Sequence, residues 1–199
     1  MAIKTERTAM LRPMKLETIS IKIEGVTPLI QHAWSDKAKG MIRDKQAGKK
    51  TKNRDVRDPH KEFEDATYRT KKGGYAVPLM SIKNAIISAA HKDLGVEKTL
   101  VRKAIFLKAP DPNDPMMAPI ECDAPVMRED FVRVGVGAAD LRYRPQFDRW
   151  EAFVLVEYDT ELVTVDDIVN LINRAGFGVG IGEWRPEKGG EFGRFRIAA

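Results

Sequence analysis

The chain has 199 residues, 43% of them hydrophobic, which is enough apolar material for one domain with a core. Its net charge of +5 and isoelectric point near 9.3 favour an acidic partner, nucleic acid foremost. A single cysteine, Cys122, excludes an internal disulfide and a cysteine-rich zinc site, and no stretch has the length of a membrane-spanning helix, so an intracellular, cytoplasmic protein is expected.

Residues 16–25 (LETISIKIEG) alternate apolar and polar and predict a strand, continued by an apolar segment through Pro28 to Trp34. Residues 35–72 differ sharply. They hold 13 Lys/Arg against 7 Asp/Glu and few large apolar groups beyond Met41, Ile42, Val56, Phe63 and Tyr68. Such a segment buries little. It is either a solvated charged loop or a basic arm along a phosphate backbone, with Lys37, Lys39, Arg43, Lys45, Lys49 and Lys50 as contacts.

Gly73 and Gly74 mark a turn, and residues 75–79 a short edge strand ending near Pro78. Residues 81–94 carry Ile82, Ala85, Ile86, Ala89 and Ala90 at helical spacing, with Ser81 as N-cap and Gly95 just past the end. Residues 100–108 predict a second core strand, and 109–125 are rich in proline. A strand follows at 130–136, then a turn at 135–145 bearing Arg142, Tyr143 and Arg144. Residues 150–158 (WEAFVLVEY) give the strongest strand signal. A helix follows from Thr164 or Asp166 to Ala175, and a closing strand lies within 192–197. The order is βαββαβ with a basic insertion after the first strand. It predicts an α+β domain of RRM or ferredoxin-like type with a four-stranded antiparallel sheet.

Residues 176–195 (GFGVGIGEWRPEKGGEFGRF) contain seven glycines interleaved with Arg185, Lys188 and Arg194. Glycine admits φ > 0 and close approach of a ligand to the main chain. Gly180 and Gly182, with the neighbouring cations, therefore read as a main-chain cradle for a polyanion, or as a loop that needs glycine only to turn. The dinucleotide fingerprint is excluded, because a helix precedes the glycines and Pro186 follows. The P-loop string is absent.

Single residues carry two readings each. Lys83, in the first turn of its helix, is a phosphate contact or a surface lysine. Arg142 and Arg144 around Tyr143 make a platform for unstacked bases, or Tyr143 fills the core. Trp184 packs the glycine segment down or stacks a base. His32, His60 and His91 lie far apart in sequence and no metal-ligand spacing occurs, so no metal or cofactor is expected. His32 is a candidate general base only under an endoribonuclease reading.

Three segments together resemble the RAMP superfamily, the repeat-associated proteins of CRISPR systems. The first is GGYAVPLMSIKNAIISAA at 73–90, with Pro78, Ser81 and Lys83 at the matching positions. The second is the helix and glycine-rich segment at 175–195, and the third is the basic insertion after the first strand. The likeness covers most of the chain in layout and about 40 residues in motif. It is nearest to the backbone subunits that polymerise along guide RNA, and extends to phage-borne relatives. It implies that Lys83 and the glycine segment touch a nucleic-acid backbone. It also implies that 109–145 form a thumb-like hairpin that displaces bases at intervals. Relatives that cut RNA use an acidic residue in the insertion, where Asp36, Asp44, Asp55 and Asp58 lie. Those acids otherwise balance a lysine-rich loop.

The resulting expectation is a non-enzymatic single-stranded RNA-coating subunit that forms homo-oligomers or filaments, alone or with other ribonucleoprotein subunits. The alternatives are a phage single-stranded DNA-binding protein, a metal-independent endoribonuclease and a structural assembly protein.

Overall fold

A computed structural model describes residues 13–34, 36–49, 56–134 and 138–198. Strand β1 (Leu16–Gly25) and strand β8 (Trp150–Asp159) pair antiparallel along nearly their whole length, from Leu16↔Asp159 to Glu24↔Glu151. Every second residue of β8, Trp150 to Tyr158, is buried, and Ile21 and Ile23 of β1 lie on the same face. This period of two makes one face apolar and leaves the other partly wet.

The apolar face is covered by two helices. Helix α3 (Leu79–Leu94) buries Ile82, Ala85, Ile86 and Ala90, and helix α5 (Val165–Arg174) buries Ile168, Leu171 and Ile172. Helix α5 begins in a capping box: Thr164 Oγ1 accepts from the Asp167 N–H, and the Asp167 carboxylate accepts from the Thr164 N–H. Helix α3 ends at Gly95, whose φ of 67° closes the last turn in the left-handed region.

Strand β4 (Ile105–Lys108) pairs the C-terminal half of β8, and β9 (Phe195–Ile197) pairs the end of β1. Read across the sheet, β9-β1-β8-β4 is the fourth, first, third and second strand of the βαββαβ unit, so the fold is ferredoxin-like. The sheet has six strands rather than four. Strand β5 (Met117–Cys122) adds to the N-terminal half of β8, and β3 (Ala76–Pro78) adds to β5.

A second sheet branches away in the order β2-β7-β6. Strand β2 (Leu29–Ile30) pairs the end of β7 (Ala138–Phe147), which forms a long hairpin with β6 (Val126–Val134). The segment 135–145, expected as a turn, is therefore mostly strand. Leu141, Tyr143 and Pro145 fall on one face and Asp140, Arg142 and Arg144 on the other, a period of two that the Gly-Val-Gly start obscures. The core strand expected over 100–108 is half helix. Helix α4 (Lys98–Ala104) buries Val101 and Ala104, one helical turn apart, before the chain extends into β4.

The basic insertion carries two helices, α1 (Asp36–Gln46) and α2 (Pro59–Asp65). Asp58 caps α2 by accepting from the N–H groups of His60 and Lys61. Asp44 pairs with Lys49 at 3.0 Å. Lys50 and Asp55 lie outside the described residues, as do the side chains of Asp36 and Lys37.

Candidate nucleic-acid interface

The glycine segment is shaped by its own packing. It leaves α5 through a π-helical turn, Ala175–Val179, and passes through positive φ at Gly180, Gly182, Trp184, Gly189 and Gly193. A Cβ on Gly193 would fall 1.8 Å from the Ile181 carbonyl oxygen, and one on Gly182 2.4 Å from that of Ile30. The main-chain donors point inward as well: Ile181 N–H to Gly193, Glu183 N–H to Ile30, Phe192 N–H to Trp184 and Gly193 N–H to Pro28. At Gly182 and Gly193 the protein's own backbone takes the place expected for a polyanion. Those two glycines serve close chain crossing.

Arg185 is equally committed. It donates to the Gly182 carbonyl at 3.0 Å and to Glu187 at 3.2 Å. Glu187 also accepts from Ser88 Oγ and Lys92 Nζ, which ties the segment to α3. The Lys92 and Ser88 bonds hold the Glu187 pKa down to about 2. Arg194 stacks on the exposed Phe177 ring, 4.9 Å from its centroid. Lys188 is exposed and makes no ion pair among the described residues, and Trp184 is exposed.

Lys83 lies elsewhere. Helix α3 starts at Leu79, two residues before the expected cap, and Ser81 Oγ donates to the Pro78 carbonyl within the first turn. Lys83 therefore projects into the junction of α3, α4 and β4. There its buried ammonium donates to the Val101 and Ile105 carbonyls and lies 5.3 Å from the Phe106 ring. Burial lowers its pKa to about 8. The expectation of a phosphate contact at the helix start is corrected on this geometry.

The charged face of the hairpin meets the end of β2 and the glycine segment. Asp140, Arg142 and Arg144 line one face of β7, opposite Arg128 and Asp130 of β6. Arg144 and Arg128 both donate to the buried Asp130, at 3.2 Å and 2.6 Å. Arg128 also stacks on Phe192 of the glycine segment, 4.9 Å from the ring centroid, and Arg144 reaches Glu183 at 3.6 Å. From the insertion, Arg57 bridges Glu62 of α2 to Asp140 of β7.

His32, just after β2, stands between Arg142 and Arg144, 3.3 Å from each. Burial and then the Arg144 charge push its pKa below the usual imidazole value. Glu183 opposes this, and Arg142 adds to the depression. Burial and then Glu183 raise the pKa of the half-buried Tyr68, with Lys39 pulling the other way. Gln31 fixes this corner. Its buried amide donates to the Ala76 carbonyl and accepts from the Tyr68 N–H.

Of the residues singled out from sequence, Arg142 and Arg144 come together here. Tyr143 lies on the opposite hairpin face, beside Glu129, on the same face as Phe131, which is 77% exposed. Arg43, Lys45 and Lys49 are exposed on or just after α1. Arg57, Arg128, Asp130 and Glu183 were missed. The signal for the hairpin residues was present: Arg128 with Asp130, and Asp140 with Arg142 and Arg144, are spaced by two.

The open face of the main sheet is a poor polyanion surface. Its cations Lys22, Lys108 and Arg196 are paired with Glu151, Glu157 and Glu24, and Glu121 adds a further negative charge. Among the described residues, exposed cations that make no ion pair include Arg43 and Lys45 of α1, Arg102 and Lys103 of α4, and Lys188.

No protein-family model matches the chain, and no curated protein does either. Solved structures do match. One is the Type III-B Cmr-β complex bound to cognate target RNA, with a TM-score of 0.53 and 10% identity over 93% of this chain. This chain spans only 60% of that neighbour's length. Another is Cmr6 from Pyrococcus furiosus, with a TM-score of 0.47 and 11% identity over 95% of this chain and all of that one. The chain accordingly shares its fold with a chain of that Cmr-β complex.

Proposed function

We propose that this chain is a subunit of a CRISPR-type ribonucleoprotein that binds single-stranded RNA chiefly through its phosphates. The observation that carries the reading is the pair of β7 arginines, Arg142 and Arg144, that flank His32 where β2, the hairpin and the glycine segment meet. The fold is shared with a chain of the Type III-B Cmr-β complex bound to cognate target RNA. Contact to phosphates positions a strand without reading its sequence, so binding is largely sequence-independent.

The hairpin face bearing Phe131, Met127 and Tyr143 serves in this reading as the thumb that displaces a base. Repeated head-to-tail contacts along one RNA give a filament. The chain acts without catalysis. The described insertion acids Asp44 and Asp58 already hold Lys49 and the start of α2.

Fluorescence anisotropy with labelled single-stranded RNA, single-stranded DNA and duplex, at about 50 and about 200 mM salt, tests the reading. The expected result is preferential binding of single-stranded RNA that weakens by orders of magnitude at the higher salt. Preference for DNA transfers the role to a single-stranded DNA-binding protein. Binding to none of the three rejects it.

A further inference from the structure

His32 is held in a contact that a neutral imidazole cannot satisfy. Its Nε2 lies 3.3 Å from Arg142 Nη1, and its Nδ1 lies 3.3 Å from Arg144 Nη2. A neutral ring has one N–H and one acceptor nitrogen, while a guanidinium only donates. One of the two contacts therefore sets a donor against a donor.

Arg144 adds a second unmet donor. Its side chain is 6% exposed, and its Nε is the one buried side-chain nitrogen or oxygen without a partner among the described residues. Leaving such a group unpaired is costly. The conflict at His32 and the orphan on Arg144 lie on the same guanidinium–imidazole pair, and an anionic acceptor relieves the conflict at His32.

One carboxylate already stands nearby. Glu183 Oε2 is 3.6 Å from Arg144 Nη2, beyond hydrogen-bonding distance, and its side chain is 41% exposed. Its main chain is fixed by the N–H bond to Ile30. The side chain is therefore free to rotate away while the backbone stays in place. The other charges that bear on His32 are accounted for. Asp130 of β6 is engaged by Arg144 and Arg128, Asp140 of β7 by Arg142 and Arg57, and Tyr68 and Lys39 lie farther along the same corner.

We propose that His32, Arg142 and Arg144 form a proton-coupled site for one phosphodiester group of the bound strand, with Glu183 as the carboxylate that covers it when empty. The nature of the strand rests on the RNA reading above; the anion site does not. Protonation of His32 leaves both ring nitrogens as donors facing guanidinium donors, and an anion seated between the ring and a guanidinium then accepts from both. Binding takes up one proton from solvent onto the imidazole and breaks no covalent bond. In the free protein the His32 pKa lies below its usual value, and a bound anion raises it. Affinity therefore rises as pH falls through the bound-state value and levels off below the free value.

Sulfate is the probe, because it does not titrate over the range in which histidine does. Imidazole NMR titrations of the full chain are run from about pH 5 to 8, with and without sulfate at constant ionic strength. His60 and His91 act as internal references. The expected result is an upward move of the His32 midpoint by about one pH unit, with His60 and His91 unmoved. Arg142→Lys should remove most of that move. Glu183→Gln, which leaves the Ile30 bond intact, should tighten sulfate about threefold by removing the competing charge. A His32 midpoint that sulfate leaves in place, or that moves only as His60 and His91 do, overturns the proposal.

RNA affinity measured at about pH 7.5 and pH 5.5 separates this from the functional reading. Salt-sensitive RNA binding with no pH dependence and a silent His32 sinks the site and leaves the RNA reading standing. A sulfate-responsive His32 in a protein that binds no RNA supports the site and rejects the RNA reading.

Discussion

At the scale of single residues, the side chains with unusual environments are those whose charge is constrained by the fold. Lys83 is the clearest. Its ammonium is buried against two carbonyls, and its pKa is lowered to about 8. The unfolded chain keeps the proton until pH is near 10.4. Between about 8 and 10.4 the unfolded state thus binds more protons, and stability should rise with pH over that window. Below pH 8 both states are charged and the burial cost is fully present. Lys83→Met should abolish the alkaline rise in urea-unfolding experiments without lowering stability near pH 7, and should leave RNA affinity within about twofold. A large loss of affinity in that variant would restore Lys83 to the interface. Glu187 has the opposite sign. Its folded pKa is about 2, below the ordinary carboxylate value of 4.5. Its contribution is present above pH 4.5 and lost as pH falls towards 2. Glu187→Gln should cost on the order of 1 kcal/mol at pH 7 and remove that part of the acid sensitivity.

At the scale of elements, the glycine segment and the β6–β7 hairpin are two halves of one construction. Arg128 lies over Phe192 and Arg144 faces Glu183, so the hairpin's charged face is seated on the segment. The conformation of the segment is set by Gly182 and Gly193, where positive φ coincides with a backbone oxygen in the place of Cβ. Gly193→Ala should therefore destabilise by several kcal/mol and disturb the hairpin seat. Gly189→Ala, with positive φ but open space around it, should cost only about 1–2 kcal/mol. Thermal melts of the two variants check the difference. If both cost the same, crossing of the chain is not what these glycines are for.

At the scale of the whole molecule, charge is distributed unevenly over a ferredoxin-like scaffold. The open sheet face neutralises its own cations, whereas α1 and the segment after it expose Arg43, Lys45 and Lys49. Arg43 and Lys45 make no ion pair among the described residues. The double variant Arg43→Glu/Lys45→Glu should thus leave the melting temperature nearly unchanged. It should weaken RNA binding at least tenfold at low salt, and lower the slope of log affinity against log salt by one to two. An unchanged slope would move the RNA path away from α1.

Local pattern alone was sufficient for the strands β1 and β8, helices α3 and α5, and the βαββαβ order, because each has a strong period and a marked end, such as Gly95 or the Thr164 box. It also singled out Arg142 and Arg144, which flank His32. Tertiary structure decided the rest. Whether Lys83 meets solvent or the α4–β4 junction depends on a packing partner about 20 residues away. Whether Gly182 and Gly193 leave room for a ligand depends on which main chain crosses them, and the carbonyls of Ile30 and Ile181 do. The pairing of His32 with arginines more than 100 residues distant exists only because β2 joins β7. Sequence spacing records what neighbours along a chain can do, whereas burial and the sharing of charge are properties of elements brought together from afar.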